Sequence, residues 1–203
     1  MPALENHIII RILTRIFDLI VLNILWLVCS VPIVTIGAST TALYSVMLKV
    51  VAGEESYIMK DFFKAFRVSF WQSTAVWLIL LAAGAALGAD IVIFQRASGI
   101  ARAGLAVFYI ITFFYAIEVI FVFPLIAKFE NTTGNMLKNA ILIPASRLPF
   151  AAAVLVMTGT CLVLTFLNYT TLMVGAAVWG IIGVAVLAYV NSIFIRKIIE
   201  PYM

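Results

Sequence analysis

Glu118 is the residue whose type and place carry the most chemical information. It lies ten positions before Lys128 within an apolar run, so a helix would carry it about 15 Å deep, near the middle of a bilayer. A carboxylate there costs about 2.5–3.5 kcal/mol unless it is protonated, paired or wet. No lysine or arginine shares its level. Two uses follow. The plain one is a protonated carboxyl bonded between helices, to Tyr115 one turn back or to Thr158 and Thr160 on the fifth span. The sharper one is a substrate or proton site that faces a polar cavity. Asn23, at moderate depth in the first span, suits a packing hydrogen bond better than a ligand contact. Residues 32–41, PIVTIGASTT, join a proline and a glycine to several hydroxyls. Such a break at a helix start is either an ordinary extracellular turn or a set of N–H groups aimed at an anion or a sugar hydroxyl.

Sets of residues for catalysis or metal binding are missing from the chain. His7 is the single histidine, which removes most imidazole metal sites and any Ser-His or Cys-His pair. No G-x-x-x-x-G-K-[ST] loop occurs, so nucleotide hydrolysis by that route is excluded. The expectation is a protein that is not an enzyme and uses no cofactor and no metal. Cys29 and Cys161 both sit inside apolar runs and read as reduced and inert.

The elements that must position these residues are membrane spans. Hydrophobic residues make up 65% of the 203 and charged ones 11%, where a soluble domain carries about 25% charged. Mean hydropathy is +1.18. No charge occurs over 19–48, 68–89 or 148–195, and about 18 to 20 apolar residues already suffice to cross a bilayer. The chain therefore reads as one all-α polytopic membrane domain, 1–203, of about six transmembrane helices joined by cytoplasmic amphipathic helices.

The spans are expected at about 17–34, 38–50, 70–94, 104–127, 149–167 and 172–195. Before the first, Arg11, Arg15 and Asp18 form one polar stripe, as in a helix that lies at the interface before it enters. Pro32 and Gly37 end the first span, and Ser39 or Thr40 is placed to cap the second. That second helix is short enough either to cross a thinned bilayer or to re-enter. Pro149 suits the first position of its helix, with Ser146 as a cap. Residues 168–171 make an uncharged turn.

Charge sets the orientation. With six spans and a cytoplasmic N-terminus, eleven of the 13 basic residues fall inside and only Arg96 and Arg102 outside. Five spans give a poorer split, so six satisfy the positive-inside rule better. Both termini are then cytoplasmic, and the small positive surplus serves as anchoring rather than nucleic-acid binding.

Two stretches share an outline of span, lysine, acidic linker, amphipathic segment and next span. One runs from Lys49 to Phe70 and the other from Lys128 to Phe150. A parallel duplication could explain them, but chance likeness of two hairpins of the same topology explains them better. The amphipathic segments are 57–68 and 135–147. In the first, Lys60, Lys64 and Arg67 form one stripe, and Phe62 and Phe66 lead another. A helix parallel to the membrane, its phenylalanines against lipid or the bundle, would follow, and it would serve either lipid or a docked partner. Gly84 with Gly88, and Ala176 with Gly180, offer small-residue faces for packing within the chain or in a homo-oligomer.

PIVTIGASTTALYSVMLK (32–49), with FFKAF, SFWQS, FPLIAKFE and LKNA further on, resembles the YesL-like family of bacterial integral membrane proteins, a domain of unknown function. The resemblance implies the cell membrane of a bacterium, typically Gram-positive, and gene neighbours that include carbohydrate importers of the ATP-binding-cassette type and their sensor kinases. It implies no catalytic or binding residues. The function expected is a non-enzymatic accessory membrane protein for carbohydrate uptake or its sensing, with the lipid bilayer and an importer or sensor kinase as partners. The alternative is a small-solute transporter or channel with Glu118 in its pathway.

Overall fold

The computed structural model describes residues 2–96 and 104–203, and every long element among them is a helix. α1 runs Pro2–Ser30, α2 Ile36–Ala52, α3 Ile58–Arg96, α4 Gly104–Lys128, α5 Thr133–Ser146 and α6 Leu148–Phe166. α7, Tyr169–Val178, passes through a π-helical turn, Trp179–Gly183, into α8, Val184–Ile199. Among the described residues, six stretches are long and apolar enough to cross a membrane: Ile12–Ser30, Ile33–Ala52, Ile58–Arg96, Gly104–Lys128, Leu148–Phe166 and Tyr169–Tyr202. This is the all-α membrane fold that the charge-free runs predict.

The first break is sharper than expected. Pro32 has no N–H and disfavours helix at Val31, so α1 ends at Ser30 and not near Val34. A 3₁₀ turn, Ile33–Thr35, follows. The Thr35 hydroxyl reaches the carbonyls of Cys29 at 2.6 Å and Pro32 at 2.7 Å, which closes the open end of α1. α2 then begins at Ile36, ahead of the expected Ser39 or Thr40 cap. Ser39 lies inside the helix and turns its hydroxyl back to the Thr35 carbonyl at 3.0 Å, while Thr40 accepts from the Trp26 indole at 3.1 Å. At the far end Gly53 takes φ 77°, its N–H on the Val50 carbonyl and that of Glu54 on Lys49. That is a Schellman closure, which needs a residue free of a Cβ.

α2 is thus 17 residues, about 25 Å, and it is the buried axis of the bundle. It packs against α1, α3, α4 and α8, and ten of its residues are buried. Lipid is as apolar as leucine, so helices in a membrane associate by close contact rather than by hydrophobic drive. The small residues Gly37, Ala38, Ser39, Thr41 and Ala42 permit it. A Cβ at Gly37 would stand 2.5 Å from the Ser73 carbonyl oxygen and 2.6 Å from Trp77 Cβ. Shielded by its neighbours, a short helix need not match the bilayer.

α3 corrects the sequence reading of 57–68. The segment is helical, but it is the first third of a single 39-residue helix, about 58 Å long, nearly twice the hydrocarbon thickness. It does not form a separate helix along the membrane plane. Phe62 is fully buried in the core, and the half-buried Phe66 stacks on it with ring centroids 6.3 Å apart. The Gly53 turn folds α3 back along α2, so the phenylalanine stripe meets protein instead of lipid. Segment 135–147 is by contrast its own helix, α5, which ends at Arg147 (φ −135°). Pro149 lies in the first turn of α6 as expected, but Ser146 bonds back to Ile143 at 2.7 Å and caps nothing. The two stretches of like outline are therefore built differently.

One end of the bundle collects the cations. Arg196 donates to the Val51 carbonyl at 2.8 Å, Lys197 lies 5.4 Å over the Phe150 ring, and Arg15 shares a cavity with Val50 and Ile58. Lys49, Lys128, Arg147 and the C-terminus belong to the same end, called the basic end below. Arg96 closes the opposite end of α3. Ser98, Arg102 and the Arg11 side chain lie outside the described residues.

Candidate functional site

A polar cavity opens at the basic end, where α2, α3 and α4 come together. Its volume is about 220 Å³, and its charged lining is Lys49, Asp61, Lys64, Lys128 and Glu130. Each helix brings a lysine for a local reason. Lys49 is the last charge of α2 before the Gly53 turn, Lys128 ends α4, and both favour the negative end of their helix dipoles. Lys64 sits on the exposed face of α3. Ser45 and Thr41 line the wall toward the membrane, where Thr41 and Ser73 share a buried hydrogen bond of 2.8 Å.

Asp61 holds the cleft together. Its carboxylate is 3.3 Å from the Lys49 ammonium and accepts from the Ser56 hydroxyl at 3.1 Å and the Tyr57 N–H at 3.2 Å. It lies in the part of α3 that projects beyond the apolar stretch. Burial pushes its carboxyl up, but Ser56, Lys49 and Tyr57 outweigh that and hold it below the usual carboxylate range. Lys64 and Lys128 form no ion pair among the described residues. Its charged lining suits the binding of a charged group.

Of the intramembrane polar set foreseen around Glu118, Tyr115 shares its face of α4 one turn away, while the Tyr115 and Thr158 hydroxyls bond elsewhere. Glu118 is half-buried on α4 and forms no ion pair among the described residues. The expected hydroxyls have other partners. Tyr115 donates to the Leu80 carbonyl of α3 at 2.8 Å. There is room for this because Gly84 lacks a Cβ, which would stand 2.5 Å from the tyrosine oxygen. Thr158 accepts from Asn191 of α8 at 3.1 Å, and Thr160 is exposed. The turn of α4 about its own axis decides these pairings, and helical spacing does not reveal it. Asn23 is fully buried, and it does make packing hydrogen bonds. Nδ2 donates to the carbonyls of Trp179 and Gly180, both at 3.0 Å, and Oδ1 accepts the Ala185 N–H at 3.1 Å.

Of the docking residues, Lys60, Lys64 and Arg67 remain exposed, with Lys60 5.9 Å over the Tyr57 ring. Phe62 and Phe66 are withdrawn into the protein. Met59, Phe63 and Trp71 take their place on the outer face. Residues 32–41 offer no open cradle: their hydroxyls bond within the bundle, and the Ile33 carbonyl takes the Trp77 indole N–H at 2.8 Å. Sequence reasoning missed Lys128 and Ser45 as cleft walls, and Asn191 with Ser192. Those two are buried, with Asn191 Oδ1 and Ser192 Oγ lacking partners among the described residues. An amide in a charge-free run, the signal that singled out Asn23, also marks Asn191.

Residues 19–91 match a family described as Protein of unknown function, DUF624. The match takes in the membrane part of α1, all of α2 and most of α3, and so the Pro32 break and two walls of the cleft. The α4 wall lies beyond it. No curated protein and no solved structure matches the chain.

Proposed function

We propose that the protein is a non-enzymatic accessory protein of a bacterial cell membrane that acts through a second protein docked at its basic end. One contrast supports this reading. Several polar side chains between the helices bond one another or backbone carbonyls, Thr41 to Ser73, Tyr115 to Leu80, Asn191 to Thr158 and Asn23 to the π-turn, while Asn191 Oδ1 and Ser192 Oγ lack partners among the described residues. Lys60, Lys64, Arg67 and Lys128 stand exposed outside them. The bundle thus favours a rigid support with a charged docking face over a solute pathway. By the positive-inside rule that face, with both termini, is cytoplasmic. The link to carbohydrate uptake or its sensing, and so to an importer or sensor kinase as partner, rests on the family resemblance of residues 32–49. A photo-crosslinking residue at Phe63 or Arg67, in the native membrane, tests the reading. The expected adduct is one dominant importer or kinase subunit; adducts to lipid alone would end it.

Glu118 favours the second reading, transport, because it is half-buried without an ion pair among the described residues. Solute flux in liposomes that Glu118→Gln abolishes would replace the accessory role.

A further inference from the structure

We propose that the cleft at the head of α2, α3 and α4 binds a phosphate group, in the first place that of an anionic phospholipid headgroup. The proposal does not rest on the accessory reading, since no partner protein enters it.

Three cations reach the cleft from three helices, Lys49, Lys64 and Lys128. The Asp61 carboxylate fixes Lys49 at 3.3 Å and cancels its charge. Lys64 and Lys128 have no ion pair among the described residues, while Glu130 stands at the exposed rim, where water screens it. The remaining balance is one positive charge in about 220 Å³. Each ammonium offers three donors and acts as a point charge. Donors converging from three directions suit a tetrahedral anion; a planar carboxylate would meet fewer of them. The Ser45 hydroxyl, on the inner wall, is a further donor.

The depth points to lipid. Val68 lines the cleft and is 79% exposed, and Trp71, one turn further into the bundle, is 83% exposed. A tryptophan on the lipid face marks the boundary between hydrocarbon and headgroups. Lys64 precedes it by seven residues, about 10 Å along α3, which is the headgroup layer. Ala65, Ile126 and Ala127 give the cleft apolar walls that suit the glycerol end of a lipid better than a fully hydrated ion.

The test uses the full chain in neutral detergent, read by native mass spectrometry and thermal unfolding. The probes are phosphatidylglycerol, phosphatidylcholine and inorganic phosphate. Phosphatidylglycerol should bind in preference to phosphatidylcholine, and Lys64→Gln with Lys128→Gln should weaken it about tenfold or more. Lys60→Gln with Arg67→Gln removes the same charge from the same helix face or its neighbourhood without touching the cleft, and should leave binding within about twofold. Equal binding of the two lipids, no loss in the cleft variant, or equal loss in the control variant would overturn the proposal. If inorganic phosphate alone stabilises the native chain but not the cleft variant, the phosphate site stands and the lipid source falls. Should the double variant fail to fold, Lys128→Gln alone, at an exposed helix end, carries the same comparison.

Discussion

Asn23, fully buried in α1, donates through its amide to the backbone carbonyl of Trp179 at 3.0 Å, 156 positions along the chain. The same side chain bonds the Gly180 carbonyl and the Ala185 N–H, groups at the two ends of the π-turn. A π-turn inserts one residue into a helix and disturbs its ladder, and in hydrocarbon no water can take up the loosened groups. Asn23 does so. Trp179 in turn anchors the turn to α6 through its indole, which donates to Thr165 at 2.9 Å.

Asn23→Leu removes that brace while keeping the volume. Interhelical hydrogen bonds in membranes contribute about 0.6 kcal/mol on average and up to about 1.7, and three are lost together. At the average value, thermal unfolding in detergent should fall by about 4–7 °C. Asn23→Asp should fall at least as far, because a carboxylate there would face the Trp179 and Gly180 carbonyl oxygens in hydrocarbon. No change in either would mean that the π-turn is stable unaided.

The glycines separate into those that allow contact and those that do not. Gly37 faces the Ser73 carbonyl and Trp77 Cβ, and both belong to backbone or its first side-chain atom, so neither can yield. Gly37→Ala should therefore push α2 from α3 and lower the melting temperature by more than about 5 °C. At Gly88 an added Cβ meets nothing within 4 Å. Gly88→Ala should be neutral or stabilising by about 0.5–1 kcal/mol, since alanine is the better helix former. Destabilisation there would show a partner helix on that face, and cross-linking of protomers would identify it.

These contrasts show where sequence was informative. Five of the six spans were legible because runs of 22 to 48 residues carry no charge, and the fourth because Glu118 is the single charge between Arg102 and Lys128, a signal that depends on no tertiary detail. Their ends were less so. Between Gly53 and Gly84 there is no glycine or proline, so nothing interrupts α3, yet its cationic stripe imitates that of a surface helix. Arg147 and Pro149 do interrupt the second stretch, and α5 stands apart. At the site, residue types suggested Glu118 as a centre and Asn23 as a packing contact. Asn23 bonds the π-turn, and the Tyr115 hydroxyl is committed to Leu80, pairings that depend on helix rotations no spacing encodes.

The Asp61 clasp predicts a pH dependence. Its carboxyl titrates lower in the folded protein than in the unfolded chain, whose ordinary value is about 3.9. Such a group stabilises the fold fully above the unfolded value, and the contribution disappears as pH falls through the folded one. Asp61→Asn should therefore melt about 2 °C below the native protein at pH 7, with the gap closing below about pH 4. A gap independent of pH would mean that the folded protein does not favour the charged form of Asp61, against the ion pair and the two hydrogen bonds alike.

Glu118 and Tyr115 share a face of α4, one turn apart, yet the hydroxyl is committed to the Leu80 carbonyl. The two therefore act separately. Tyr115→Phe should cost about 0.6 kcal/mol, the loss of one bond between α3 and α4. Glu118→Gln keeps size and polarity, relinquishes no ion pair among the described residues, and should leave stability within about 0.5 kcal/mol. The double variant then equals the sum of the singles to about 0.3–0.5 kcal/mol, as independent sites do. A coupling well above that would mean that the carboxyl turns to the tyrosine after all and that the pair forms one unit inside the bundle. Thermal unfolding of the four proteins at one pH, in one detergent, decides between these outcomes.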